Sequence, residues 1–149
     1  MKLSQGFSLI EVLIAIFVFA TGVLGVAGLQ MKSLAMLTNS HSVNIAMYAA
    51  NDMADRMRAN PVAVFDGFYD NINGTESDPL CSGACTSAEL AQFDAYAVMQ
   101  SLNGELPEPT LSVENTGNNV FTISITWTER IGKDSNTKTH RVSFVPYKP

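Results

Sequence analysis

The stretch Phe7-Ser-Leu-Ile-Glu11-Val-Leu-Ile-Ala-Ile-Phe-Val-Phe-Ala-Thr-Gly22-Val-Leu-Gly25-Val-Ala-Gly28-Leu29 decides the architecture of this chain. It contains no proline and a single charged side chain, Glu11, close to its start. About twenty consecutive apolar residues suffice to cross a bilayer as a helix, with every backbone polar group bonded internally. The stretch therefore predicts a membrane anchor. Only Met1-Lys-Leu-Ser-Gln-Gly6 precedes it and no Ala-x-Ala site follows it, which disfavours a conventional secretory signal. The informative cut falls before the helix, between Gly6 and Phe7, and would leave the helix with a free α-amine. Lys2 and Lys32 flank the span almost symmetrically, so basic residues do not set its orientation.

Glu11 is costly where it stands. An acidic side chain near the centre of a membrane helix costs about 2.5 to 3.5 kcal/mol to insert, and less near the interface. Snorkelling to water is one way to carry that cost. The sharper reading is an ion pair with the α-amine of a neighbouring subunit, which would fix axial register as subunits stack. Glu11 lies about one helical turn beyond the expected new N-terminus, within reach of such a role.

Gly6-Phe-Ser-Leu-Ile-Glu11-Val resembles the processing and methylation motif of type IV pilins and type II secretion pseudopilins. The resemblance implies that Gly6 ends a leader recognised by a prepilin peptidase, that Phe7 becomes the N-methylated first residue, and that Glu11 is the acidic partner in filament assembly. It also implies a single-pass protein of the bacterial inner membrane whose C-terminal domain lies in the periplasm, and which can enter a pilus fibre. Its partners would be the peptidase and methyltransferase, the major pilin and other minor pilins, and the inner-membrane assembly platform. The pattern Cys81-x-Gly83-x-Cys85, Leu90-Ala91-x-x-Asp94 and Leu106-Pro107 is similar to the PilV-type branch of minor pilins, although Tyr96 and Met99 occupy the region where that branch carries a tryptophan.

Beyond the span, helical character continues to Ala59 without proline. Ala46, Ala49, Ala50, Met53 and Met57 recur at three- and four-residue spacing, whereas Asn51, Asp52, Asp55, Arg56 and Arg58 face elsewhere. Asp52 and Arg56 are placed to pair along the wet side. Asn60-Pro61 should end the helix, because the residue before proline is pushed out of helical geometry. One rod of about 80 Å would result at 1.5 Å per residue. Gly22, Gly25 and Gly28 each cost up to about 1 kcal/mol of helix propensity. They admit close helix packing, and the pilin resemblance implies that this segment bends or unwinds when the subunit leaves lipid.

From Pro61 to about Thr86 the sequence is turn-rich, with little regular structure expected. Asp70, Asn73, Glu76 and Asp78 offer oxygen ligands for calcium but at spacings unlike an EF-hand, which favours a solvated loop. Cys81 and Cys85 are close enough to close a small loop, and in an oxidising periplasm a disulfide worth about 2 kcal/mol is the simplest reading. These two thiols lack further ligands for a metal site. Thr86-Ser-Ala-Glu89 is a capping box, and a helix should follow to about Leu102 with Leu90, Phe93, Ala97 and Val98 inward. Asn103-Gly104 closes it.

The C-terminal third reads as sheet. Phe121, Ile123, Ile125 and Trp127 alternate with hydroxyl residues over 120–128. A loop over 131–136 should lead to a strand over 137–145 with His140, Val142 and Phe144 on one face, and an earlier strand is expected over 109–115. Three such strands can pack on the Ala/Met stripe of the long helix. The expected fold is thus α+β and pilin-like, a long N-terminal helix, half transmembrane, on a small antiparallel sheet. Its divisions are 1–6 leader, 7–29 transmembrane half-helix, 30–59 amphipathic half-helix and 60–149 periplasmic domain.

The whole chain carries a net charge of −5, and residues 60–149 hold eleven acids against five bases, Arg130, Lys133, Lys138, Arg141 and Lys148. That sign is wrong for a nucleic-acid groove, so no direct nucleic-acid partner is expected. No nucleophile elbow, phosphate loop or zinc motif is present, so neither an enzyme nor a cofactor is expected. The sequence therefore points to a minor pilin acting in pilus assembly, priming or modification. The alternatives are a type II secretion pseudopilin and, from another class, a membrane-anchored module binding calcium or a surface ligand.

Overall fold

The computed structural model describes residues 8–80, 83–117, 119–131 and 134–147, and shows an α+β arrangement. The elements are α1 Leu9–Ala59, α2 Pro61–Phe65, α3 Ser87–Leu102, β1 Thr110–Asn115, β2 Phe121–Ile131 and β3 Asp134–Phe144. The chain divides into two units, residues 1–39 and 40–149.

In the first unit, α1 is helical from Leu9 onward and exposed at every described position. Ser8 starts the helix, its carbonyl accepting from Glu11 N at 3.0 Å and Val12 N at 3.3 Å. Thr21 donates its hydroxyl to the Val18 carbonyl at 2.9 Å, so the one hydroxyl of the apolar core of the span is satisfied by its own helix. The helix runs unbroken through Gly22, Gly25 and Gly28.

In the second unit, the α1 stripe is Ala46, Ala49, Ala50, Met53, Ala54 and Met57, all buried. It belongs to one hydrophobic cluster with Val98 and Leu102 of α3 and with Leu111, Val113, Phe121, Ile123, Ile125, Trp127 and Phe144 of the sheet. Small residues on α1 let larger sheet side chains fill the space between layers. The Arg58 guanidinium stacks over the Phe144 ring, 4.7 Å from its centre.

α1 ends at Ala59, as the Asn60-Pro61 step requires. The region after it is more ordered than its turn-rich sequence suggests. Pro61 opens α2 at the first helical position, where its missing N–H costs nothing. Tyr69 and Ile72 are buried, and the Ile72 carbonyl accepts from Val113 N at 2.9 Å, which ties this segment to the outer edge of β1. Gly74, at φ +78°, passes so close to Leu111 that an added Cβ would stand 3.1 Å from its backbone nitrogen.

α3 spans Ser87–Leu102 and carries the expected capping box, Glu89 N donating to the Thr86 hydroxyl and Thr86 N to the Glu89 carboxylate. Its inward face is rotated from the expected one. Ala91, Asp94, Ala95, Val98 and Leu102 are buried, Leu90 is exposed, and Phe93 and Ala97 are half-buried. Apolar size suggested the face through Leu90 and Phe93. The structure instead turns small alanines and Asp94 inward, because Asp94 finds partners there.

The sheet has the order β1-β2-β3 and is antiparallel throughout. Leu111 and Val113, then Phe121, Ile123, Ile125 and Trp127, then Phe144 face the core, with Val142 and His140 half-buried. The expected loop over 131–136 is corrected: β2 and β3 stay in register out to Ile131↔Asp134. Backbone pairing outruns the core there, and the Ser135 and Asn136 side chains that read as a loop are simply solvated.

The capping box makes a quantitative test. Thr86→Ala should lower stability by about 1 kcal/mol at neutral pH, read by chemical denaturation. The Glu89 carboxyl is held below the ordinary carboxylate range, first by the Thr86 backbone amide and second by the Thr86 hydroxyl. A carboxyl with a depressed folded pKa stabilises above its unfolded pKa and loses that contribution as pH falls through the folded one. The gap between parent and variant should therefore narrow on acidification, below the ordinary carboxylate range.

Candidate assembly site

Two places bring functional groups together, one in each unit. In the first, Glu11 lies in the opening turn of α1, where a carboxylate is favoured by the helix dipole. Glu11, Val12, Ala15, Ile16 and Phe19 line a shallow groove of about 330 Å³ along one face. Phe19, Gly22, Val23, Val26, Ala27 and Gln30 line a second groove of about 470 Å³. Such furrows between side-chain ridges are what another helix packs into. A Cβ added at Gly22, Gly25 or Gly28 would meet nothing within 4 Å. Among the described residues, no contact calls for glycine at these positions.

In the second unit, four polar side chains meet where α1, the segment after it and α3 converge. Asp94 on α3 is 5 % exposed. It accepts from Arg56 Nη1 at 3.2 Å and from the Tyr69 hydroxyl at 2.6 Å. Arg56 also donates to Asp52 at 2.9 Å, the pairing along α1 that its spacing predicted. Asn60, also buried, donates to the Tyr69 oxygen at 3.3 Å and to the Ser87 carbonyl at 3.0 Å. Burial first, and the bond to the Asp94 carboxylate second, push the Tyr69 hydroxyl well above the ordinary tyrosine range. Tyr69 is thus a fixed neutral donor rather than a proton shuttle.

Sequence reasoning placed Asp94 in a motif but missed Asn60, Tyr69 and the Arg56–Asp94 pair. Their separations along the chain leave no local signal; an aspartate on an otherwise apolar helix face was the one available hint. Gly6, Phe7 and Cys81 lie outside the described residues, so the processing site and the Cys81–Cys85 pairing have no geometry here. In the acidic loop, Asn73 Oδ1 accepts from Thr75 N at 3.0 Å, Glu76 Oε1 from Asn73 N at 3.1 Å and Asp78 Oδ1 from Leu80 N at 2.8 Å. Among the described residues, no three His, Cys, Asp or Glu side chains group as metal ligands.

Two family models match the chain. The prokaryotic N-terminal methylation motif matches residues 1–27, and the type IV pilin Tt1218 model matches residues 28–96. The chain is a type IV pilin-like protein. The methylation motif implies processing by prepilin peptidase and partners in the pilus machinery. With the helix over Leu9–Ala59, long and apolar enough in its first part to cross a bilayer, that motif fits a membrane-anchored pilin. Both matches point to a structural protein rather than an enzyme. No curated protein and no solved structure matches. In the pilin-like chain, Glu11 falls inside the first matched stretch, and Arg56, Asn60, Tyr69 and Asp94 all fall inside the second. The three strands lie beyond both.

Proposed function

We propose that this pilin-like chain is a minor pilin, of the PilV-type branch, that takes part in type IV pilus assembly, priming or modification. Cleavage after Gly6 frees Phe7 for N-methylation, and the helix carries the subunit from the inner membrane towards the fibre, with residues 60–149 in the periplasm. Glu11 pairs with the α-amine of an adjoining pilin. Gly22, Gly25 and Gly28 give the helix room to bend or to be approached closely, and Cys81 and Cys85 close a small loop by a disulfide. The observation that carries this reading is Glu11, a lone carboxylate in the first turn of an exposed apolar helix, on a face grooved for another helix.

Mass spectrometry of the mature protein tests the pathway, with an N-methylated Phe7 as the expected first residue. A chain that keeps Met1 would overturn it. Destination is tested by deleting the gene and scoring surface pili and exoprotein secretion separately. Loss of pili with secretion intact is expected, and the converse would make the protein a type II secretion pseudopilin.

A further inference from the structure

Asparagine is followed by glycine twice in the chain, at Asn73-Gly74 and at Asn103-Gly104. Such a pair can react with itself, because glycine puts no side chain in the way when its peptide nitrogen approaches the preceding carboxamide. Both asparagines are exposed, so access to water does not separate them. Their hydrogen bonds do. Asn73 Oδ1 accepts from Thr75 N at 3.0 Å, the turn that asparagine commonly makes to the amide two residues on, and also from the Thr75 hydroxyl at 2.6 Å. Among the described residues, neither Asn73 Nδ2 nor Gly74 N donates to an acceptor. Asn103 lacks this arrangement. It closes α3, the amide two residues on, Glu105 N, donates instead to the Leu102 carbonyl at 3.1 Å, and no described group donates to its side chain.

Two donors on one carboxamide oxygen withdraw electron density from Cγ, and they are already aimed at the negative charge that this oxygen takes up when Cγ becomes tetrahedral. We propose that Asn73 is a site of self-modification, at which the Gly74 peptide nitrogen attacks Asn73 Cγ while the Thr75 amide and hydroxyl hold the oxyanion. Gly74 N gives its proton to a base in the solvent as the N–Cγ bond forms. The Cγ–Nδ2 bond then breaks, and Nδ2 leaves as ammonia with a proton taken from the solvent. The cyclic imide that remains is opened by water at either carbonyl, to aspartate or to an isoaspartyl link that runs through Cβ. Water is the only co-reactant.

The converted bond lies between two points fixed to β1. On one side the Ile72 carbonyl accepts from Val113 N, and on the other Gly74 lies against the Leu111 backbone. An isoaspartyl link adds one methylene to the main chain between those anchors, and either product adds a carboxylate. The segment that covers the β1 edge is therefore loosened in chains that have converted.

The test incubates the full-length chain in detergent micelles at mildly alkaline pH and follows both sites by peptide mass mapping, which reads the gain of about 1 Da and separates isoaspartyl from aspartyl peptides. Asn73 should convert about tenfold faster than Asn103. Thr75→Val keeps the amide and loses the hydroxyl, and should slow Asn73 about fivefold with Asn103 unchanged, less than the hundredfold or so that a water-excluded oxyanion donor contributes. Thr75→Ser should restore the parent rate. In urea, where the surroundings of both pairs are lost, the two sites should convert at similar rates. Amide exchange at Val113 should be faster in converted chains than in unconverted ones. Equal conversion of the two sites in the folded chain, a preference for Asn73 that persists in urea, or indifference to Thr75→Val would overturn the proposal, and unchanged exchange at Val113 would overturn the loosening of the β1 edge.

Discussion

Asp94→Ala is expected to lower the stability of the globular part by about 2 to 4 kcal/mol, the largest effect of any single polar substitution in it. Asp94 accepts from both Arg56 and Tyr69. Its removal strands the Tyr69 hydroxyl in a buried site with only Asn60 nearby. Arg56 suffers less, because it is a third exposed and keeps Asp52. Tyr69→Phe should cost about 1 kcal/mol, since it takes away one bond and leaves the Asp94–Arg56 pair in place. Urea denaturation of the full chain in detergent, followed by Trp127 fluorescence, measures both. Equal losses in the two variants would show that the ion pair contributes nothing.

Glu11→Ala subunits are expected to be cut after Gly6 as usual and then to be left in the membrane. Breaking a buried ion pair by removing one partner costs about 3 kcal/mol or more, equivalent to roughly a hundredfold in association. The assay compares tagged variant and parent subunits in sheared pili and in membranes, with mass spectrometry of the N-terminus confirming cleavage. Glu11→Asp keeps the charge on a shorter arm and should be incorporated at an intermediate level. Alanine subunits incorporated as well as parent ones would refute the pairing of Glu11 with a neighbouring amine. Retention for want of cleavage would instead locate the role of Glu11 in recognition by the peptidase.

The elements legible in the sequence are those whose cause is local. The long helix follows from an uninterrupted run of helix-compatible residues, its end from Asn60-Pro61, and the start of α3 from Thr86 and Glu89. The buried face of β2 follows from strict alternation at Phe121, Ile123, Ile125 and Trp127. Less legible was the far end of the β2–β3 hairpin, where polar side chains disguised a continuous backbone ladder. The inward face of α3 was misread because large apolar residues outweighed Ala91, Asp94 and Ala95.

By itself, the order of residues determined the membrane-length helix, its lone carboxylate, the alternating strands and the membership in the pilin-like superfamily, because each depends on neighbours within a few turns or on a short contiguous motif. Only the tertiary structure decided that Arg56, Asn60, Tyr69 and Asp94 form one junction, and that the Ile72 carbonyl covers the outer edge of β1. Those facts depend on groups far apart along the chain, and on an aspartate whose burial becomes favourable only once its partners have been brought to it.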